Sequence, residues 1–258
     1  MIRLQDVSKT YRTLESDLVR ALESINLSVE ENEFVTLVGP SGCGKSTLLK
    51  LVSGLIPVTQ GTIHVRSREV KGPFSDVGFV FQHPVLLPWR TVIKNVLFSI
   101  EMLGLSLKDY ESQARELIDL AGLSGFENKY PRELSGGMQQ RVSLCRALVH
   151  DPSLLLMDEP FGALDAMTRE EMSFELLRIW EERRKTILFV THSISEAILL
   201  ADRVVVMTPR PGRIRREFKI ELPRPRVYEM EFDERFKAYN HEIRGLIFAP
   251  RKERNNED

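Results

Sequence analysis

The sequence predicts an α/β fold with an antiparallel β portion at its N-terminus and an α-helical block inserted into the middle. Three observations predict it. Short apolar runs, "FVTLVG" (34–39), "VGFVFQ" (77–82), "LLLMD" (154–158), "TILFVTH" (186–192) and "RVVVMT" (203–208), alternate with stretches of helical spacing, the pattern of a buried parallel sheet covered by helices. A glycine-rich loop joins the first of these strands to a helix. From Thr91 to His150 the strands give way to apolar residues at three- and four-residue spacing, and strands return only after Pro152.

Taken in order, "MIRLQDVSKTYRT" and "SINLSVEENEFVTLVG" alternate apolar and polar residues as half-buried strands do. "KSTLLKLVSGL" (45–55) is a helix, "GTIHVR" (61–66) a short strand, and "VGFVFQ" a strand ending at Gln82. "TVIKNVLFSIEMLGL", "LKDYESQARELIDLAGL" and "GGMQQRVSLCRALVH" are helices joined by turns marked with Gly and Pro. The last of them, 136–149, is expected to bury Met138, Val142, Cys145, Leu148 and Val149 along one face. Two more helices, 165–184 and 193–201, separate the later strands. From Leu222 the chain turns polar, passes "PRPR", whose basic "RPR" is read as a solvated turn rather than a lipid contact, and ends in an amphipathic stretch at 233–248.

Gross features exclude several classes. The 258 residues, 42% hydrophobic, suffice for a packed core. With 36 basic and 37 acidic residues the net charge is −1, so no overall field favours nucleic acid. Cys43 and Cys145 lack metal-ligand spacing and are read as reduced thiols of a cytosolic protein. The N-terminus lacks the apolar core of a signal peptide, and no apolar run approaches the ~20 residues that span a bilayer. A membrane role would need another chain as anchor.

"GPSGCGKS" fits G-x-x-x-x-G-K-[ST] in the required strand–loop–helix context. Gly42 and Gly44 let backbone N–H groups turn inward around phosphate oxygens. The helix beginning at Lys45 points its positive dipole end at the same charge. Lys45 reaches the β- and γ-phosphates and Ser46 offers its hydroxyl to Mg²⁺. Cys43 fills a free position and is no catalytic thiol. "LLLMDEP" closes a buried strand with two carboxylates. Asp158 can hold Mg²⁺ through water, and Glu159 can orient or polarise the attacking water. His192 and Gln82 end two strands of the same sheet. A γ-phosphate contact is the favoured reading of the first, and the second can reach Mg²⁺ or water.

A second phosphate-seeking element lies about ninety residues further on. In "LSGG", Ser135 caps a helix whose first turn carries no acid, and two glycines expose N–H groups. A phosphate loop leaves one side of the γ-phosphate open, and the helical block keeps this helix from folding back onto its own loop. A second copy can present it. Two copies head to tail would then bury two ATP molecules, each between one phosphate loop and the other copy's 135–137.

Together "LSGGMQQR", "GPSGCGKST", "LLLMDEP", "ALD" (163–165), Gln82 and His192 resemble the nucleotide-binding subunit of an ABC transporter, over residues 1–220. The resemblance implies a P-loop NTPase with a RecA-like core (1–84 and 153–220), a helical subdomain (85–152) holding the signature, and a partly helical extension (221–258). It implies ATP and Mg²⁺ as cofactors. Gly39, Pro40, Ser41, Gly42, Cys43, Gly44, Lys45, Ser46 and Thr47 would cradle the phosphates. Ser135, Gly136, Gly137, Gln139 and Asp165 would close the site across a homodimer formed on ATP binding. Ser46, Gln82 and Asp158 would serve the metal, and Glu159, His192 and Gln82 the chemistry. Tyr11 is either the aromatic that stacks on adenine or structural.

"VFQHPVLLPWRTVIKNV" (80–96), "RPGRI" (210–214) and "LPRPR" (222–226) are most similar to the nitrate/sulfonate/taurine-type importers. This implies an integral membrane permease docking on the Gln82 loop and residues 85–96, an extracytoplasmic solute-binding protein acting indirectly, and a peripheral place on the cytoplasmic face of the inner membrane. Trp89 either forms that socket or packs the two subdomains together. The 37 residues after Glu221 are too few for the β-barrel regulatory domain of sugar importers. Other ABC ATPases remain the alternative. Chromosome proteins need long coiled-coil insertions and ribosome factors usually carry two cassettes. A P-loop kinase has no use for "LSGG". An exporter would not carry "LLPW" and would have a fused membrane domain.

Overall fold

The alternating N-terminal strands cannot bury both faces, so they pair as an antiparallel sheet with one face on the core. The computed structural model of the protein describes residues 1–12, 17–162 and 164–248. In it, β1 (Ile2–Arg12) pairs with β2 (Leu18–Val29), whose buried positions alternate toward its C-terminal end. Then come β3 (Phe34–Val38), α1 (Lys45–Val52), β4 (Gln60–Val65) and β5 (Arg68–Glu69). Strands β4 and β5 complete a first sheet of order β2-β1-β4-β5.

The chain continues through β6 (Val77–Val80), α2 (Val92–Val96), α3 (Phe98–Met102), α4 (Leu107–Leu120) and α5 (Gly136–Leu148). It returns with β7 (Leu154–Asp158), α6 (Ala166–Arg183), β8 (Thr186–Val190), α7 (Ile194–Leu200), β9 (Arg203–Met207), β10 (Ile214–Lys219) and α8 (Glu234–Phe248). The second sheet has the order β10-β9-β3-β8-β7-β6 and is parallel except for its edge strand β10. Every residue of β3, β7 and β8 is buried, as their continuous apolar runs require. Parallel pairing places the C-terminal ends of β3, β7 and β8 at one edge, where ligands of open α/β sheets bind.

Several expectations need correction. β6 ends at Val80 and β8 at Val190, so Gln82 and His192 stand in loops beyond their strands. The helix expected over 91–105 divides at Leu97 into α2 and α3. Helix α5 is buried on more than one face: Gln140, Ser143, Leu144 and Ala147 are buried as well, and Met138 only partly. Polar β10 gives no apolar signal because it is an edge strand with one buried side chain, Phe218.

"PRPR" is not a solvated turn. Arg226 is 5% exposed and donates to the carbonyls of Ile198 (2.8 Å) and Ala201 (3.3 Å), at the C-terminal end of α7. The last carbonyls of a helix have no partner of their own, and a guanidinium supplies several donors at once. Burial and the neighbouring Arg224 push Arg226 down to about 10, which leaves it charged at neutral pH. Arg224 lies 4.2 Å from the Trp180 ring centroid and pairs with Asp202 at 2.8 Å. α8 packs on α7, where Asn240 donates to Ser195 Oγ at 3.1 Å. The segment 222–248 thus braces the helix that follows His192.

Arg226→Ala is expected to lower stability by about 2–3 kcal/mol, because it leaves helix carbonyls buried without donors. Exposed Lys219→Ala should change it by less than about 0.5 kcal/mol. Urea unfolding of both variants checks this, and equal losses would contradict the bracing role.

Candidate active site

Strand β3 feeds directly into the phosphate loop. Gly42 and Gly44 take φ values of 72° and 107°, a region that side chains rarely adopt. A Cβ on Gly44 would also meet Leu22 Cδ2 at 2.6 Å. Lys45 opens α1, whose first turn carries no acid. Its Nζ donates to the carbonyls of Gly39 (2.9 Å) and Pro40 (3.1 Å), which holds the ammonium at the centre of the loop. Cys43 is fully buried, and burial raises its thiol above the ordinary range, so it is no nucleophile. Residues 41–47 line a cavity of ≈ 310 Å³ together with Tyr11, Gln82, Glu159, His192 and Arg210. Gly39 and Pro40 do not line it; their part is to hold Lys45.

The ends of β7 and β8 bring the polar groups to that cavity. Ser46 Oγ donates to Asp158 Oδ1 at 2.7 Å. Glu159 adopts φ 48°, and its N–H donates to Val190 O at 2.9 Å. Such a conformation costs about 1–3 kcal/mol and persists only where the surroundings hold it. Its carboxylate lies between two partners: His192 Nε2 is 2.6 Å from Oε1, and Gln82 Nε2 donates to Oε2 at 3.2 Å. The aromatic series Phe161–Phe189–Phe34, with ring centroids 5.8 and 6.0 Å apart, ties the loop after Glu159 to the core.

The donor set suits Mg²⁺ bound mainly by water and phosphate. One carboxylate, Asp158, stands beside one hydroxyl, Ser46, with the Gln82 amide at the same cavity. Among the described residues no group of three or more His, Cys, Asp or Glu could form a protein-only metal cage.

The second phosphate-seeking element is built as expected but lies elsewhere. Ser135 caps α5 by accepting from Met138 N at 3.2 Å. Ser135 and Gly136 are exposed, and neither they nor Gly137 line the phosphate-loop cavity. Gly137 has a steric reason the sequence did not suggest: a Cβ there would meet Thr168 Cγ2 at 2.9 Å. Gln139 turns back, its amide donating to the carbonyls of Pro131 (3.0 Å) and Leu134 (3.3 Å). Asp165 caps α6 by accepting from Thr168 N at 3.1 Å, and that hydrogen bond holds its carboxyl below the usual range.

Trp89 is 70% exposed, so it does not pack the two subdomains together. Its loop is held by fully buried Asn95, whose Nδ2 donates to Leu87 O (3.1 Å) and Arg90 O (2.9 Å) while Oδ1 accepts from Leu87 N (2.7 Å). Sequence reasoning gave Asn95 no role, since an asparagine within a helical pattern carries no distinctive signal. It also missed Arg210 and Glu196. Glu196 lines a cavity behind Glu159 together with Gln82, Arg169, Thr191 and His192. It follows Ser193 at capping-box spacing, yet Thr191 Oγ1 takes the Ser193 N–H (3.0 Å) and Glu196 Oε1 has no hydrogen-bond partner. Burial, with Glu159 adding to it, pushes the Glu196 carboxyl up to about 7 against the pull of Thr191 and Arg169.

A family model described as ABC transporter matches residues 22–162. An uncharacterised ABC transporter ATP-binding protein of Methanocaldococcus jannaschii is 51% identical over 225 residues, 87% of this chain and 84% of that protein. The taurine import ATP-binding protein of Jannaschia sp. is 41% identical over 256 residues (98% and 96%). The nitrate import ATP-binding protein of Synechocystis sp. is 44% identical over 252 residues (95% and 94%). Two solved structures superpose over 86% of this chain and all of theirs. One is a dimeric bacterial ABC transporter cassette (TM-score 0.77, 35% identity). The other is a dimeric post-hydrolysis state of an ATP-binding cassette bound to ADP and Pi (TM-score 0.76, 34% identity).

Glu196 supplies a pH prediction. Its folded-state value lies above its unfolded one, so between about pH 4.5 and 7 the folded chain holds more protons and its stability falls as pH rises. Glu196→Gln abolishes this slope. The variant should gain up to about 3 kcal/mol relative to the parent between pH 5 and pH 8 in urea unfolding. A pH-independent difference would contradict it.

Proposed function

The chain belongs to the ABC transporter family, and from that membership we propose that it is the ATP-hydrolysing subunit of an importer of a small solute. One observation carries the chemical reading: Glu159, held by His192 and Gln82, faces the cavity of Lys45 and Ser46. Residues 41–47 bind the phosphate tail, and Tyr11, 39% exposed at the rim, stacks on adenine. Ser46, Asp158 and Gln82 would hold Mg²⁺, which when bound neutralises charge on the phosphates. Glu159 orients and polarises the attacking water, and His192 fixes the Glu159 carboxylate and contacts the γ-phosphate. ADP and phosphate are the products.

The site is completed by a second copy. Ser135 and Gly136 are exposed and, with Gly137, form a capped helix start with no acid in its first turn, yet none of them borders this chain's own cavity. Head-to-tail pairing on ATP binding brings them to the γ-phosphate, and Gln139 and Asp165 support that edge. Residues 1–84 and 153–220 act as the ATPase core, 85–152 as the signature-bearing subdomain and 221–258 as an extension. The exposed tip at Val85 and Trp89, adjoining Gln82, is the socket for a membrane permease, fed by an extracytoplasmic solute-binding protein. Among the described residues no helix is long and apolar enough to cross a membrane, and the chain works peripherally at the cytoplasmic face. The taurine and nitrate import relatives point to a small sulfonate-, taurine- or nitrate-like solute. Nucleic acid has no part in the reaction.

Glu159→Gln should lower ATP turnover at least about 100-fold while leaving ATP binding intact and prolonging the ATP-bound dimer. Steady-state ATPase assays and size-exclusion chromatography with ATP read both effects, and undiminished turnover removes Glu159 from its role. Mixing Ser135→Arg with Lys45→Ala chains leaves one hybrid site with both halves intact. ATP-induced pairing should then exceed that of either variant alone, and no excess counts against a shared site.

A further inference from the structure

We propose that Arg210 is a second cationic phosphate ligand of the nucleotide site, beside Lys45. This rests on the ATP-binding reading above. Arg210 follows β9, which is the parallel neighbour of β3 with Val38 opposite Val206, so its loop emerges at the same edge as the phosphate loop. The loop 208–213 is braced at both ends. Thr208 N donates to Arg213 O (2.9 Å), Gly212 N to Ala21 O (2.9 Å), and Glu23 N to Gly212 O (3.0 Å). It also lies directly on the phosphate loop: a Cβ on Gly212 would fall 1.9 Å from Cys43 O, so no other residue fits there without displacing backbone. A hairpin held this closely sets where its apical side chain points.

That side chain borders the nucleotide cavity. Its Nε donates to Gly42 O at 3.3 Å, and its Nη2 lies 3.6 Å from where a Cβ on Gly42 would stand. A guanidinium carries five N–H donors, and this contact uses one. Among the described residues no carboxylate pairs with Arg210: Glu23 is taken by Arg20 and Arg213, and Glu159, on the same cavity, by His192 and Gln82. A long exposed hydrogen bond to a carbonyl is a weak reason to hold a full charge beside a loop already containing Lys45. A multiply charged phosphate tail in the same cavity is a strong one.

The test is equilibrium displacement of a fluorescent ATP analogue by ATP and by ADP. It is run in a Ser135→Arg background, so that affinity reports one chain's own half-site. Arg210→Ala should weaken both nucleotides roughly three- to thirtyfold with unchanged thermal melting. Arg210→Lys, which keeps the charge but not the Nε contact, should recover most of the affinity. The loss should shrink as KCl is raised from low to about 0.5 M, because screening removes the same contribution. Lys45→Ala runs in parallel. If it weakens binding and Arg210→Ala does not, Arg210 is no phosphate ligand. A loss that is independent of salt and not recovered by lysine makes Arg210 a latch for Gly42 and likewise overturns the proposal. If Lys45→Ala has no effect, the ATP reading of the loop fails instead.

Discussion

The parallel pairing of β3, β8 and β7 is the constraint on which the site depends. These strands are wholly buried, so their register is fixed by packing and not by the loops that follow. Register in turn decides which side chains meet. β3 delivers Lys45 and Ser46, β7 delivers Asp158 and Glu159, and β8 delivers His192. The Ser46–Asp158 hydrogen bond (2.7 Å) and the His192–Glu159 contact (2.6 Å) join segments that are not neighbours in sequence. A slip of one residue in β7 would put Glu159 where Asp158 meets Ser46 and leave Pro160 in the place of Glu159, or put Asp158 in the place of Glu159 and leave Met157 opposite Ser46. The strained φ of Glu159 persists because its N–H is tied to Val190 on the adjacent strand.

A second constraint is separation. Helix α5 is buried on more than one face, so Ser135 and the two glycines are anchored away from the phosphate-loop cavity of their own chain. Gly137 serves packing as much as charge, since it lets α5 approach Thr168 at the start of α6. In the reading proposed above, that rigidity is what makes hydrolysis wait for a partner. The extension contributes to the same design from the far side. Arg226 and α8 hold α7, and α7 follows His192, so the extension steadies the segment that carries the Glu159 partner.

Much of this was legible in the residues. Buried strands announce themselves by continuous apolar runs, and glycine loops by residue types that backbone geometry demands, so β3, β7, β8 and β9 and the loop 39–47 were readable. Features set by a neighbour in space were not. Polar β10 gains its place from pairing with β9. Gln82 and His192 fall past their strand ends because termination depends on which backbone groups find partners. "PRPR" reads as a solvated turn because nothing local says that a helix end with free carbonyls lies beside it. Arg210 and Glu196 were hidden for the same reason: each matters through a cavity that only the fold assembles.

The central claim is that one chain encloses the phosphate tail on one side only. The most direct measurement is ATPase activity per chain against protein concentration, from high dilution upward, at saturating Mg-ATP. Specific activity should fall toward zero at dilution and climb as copies associate, in step with ATP-dependent dimer formation. A constant specific activity from a strictly monomeric chain would contradict it.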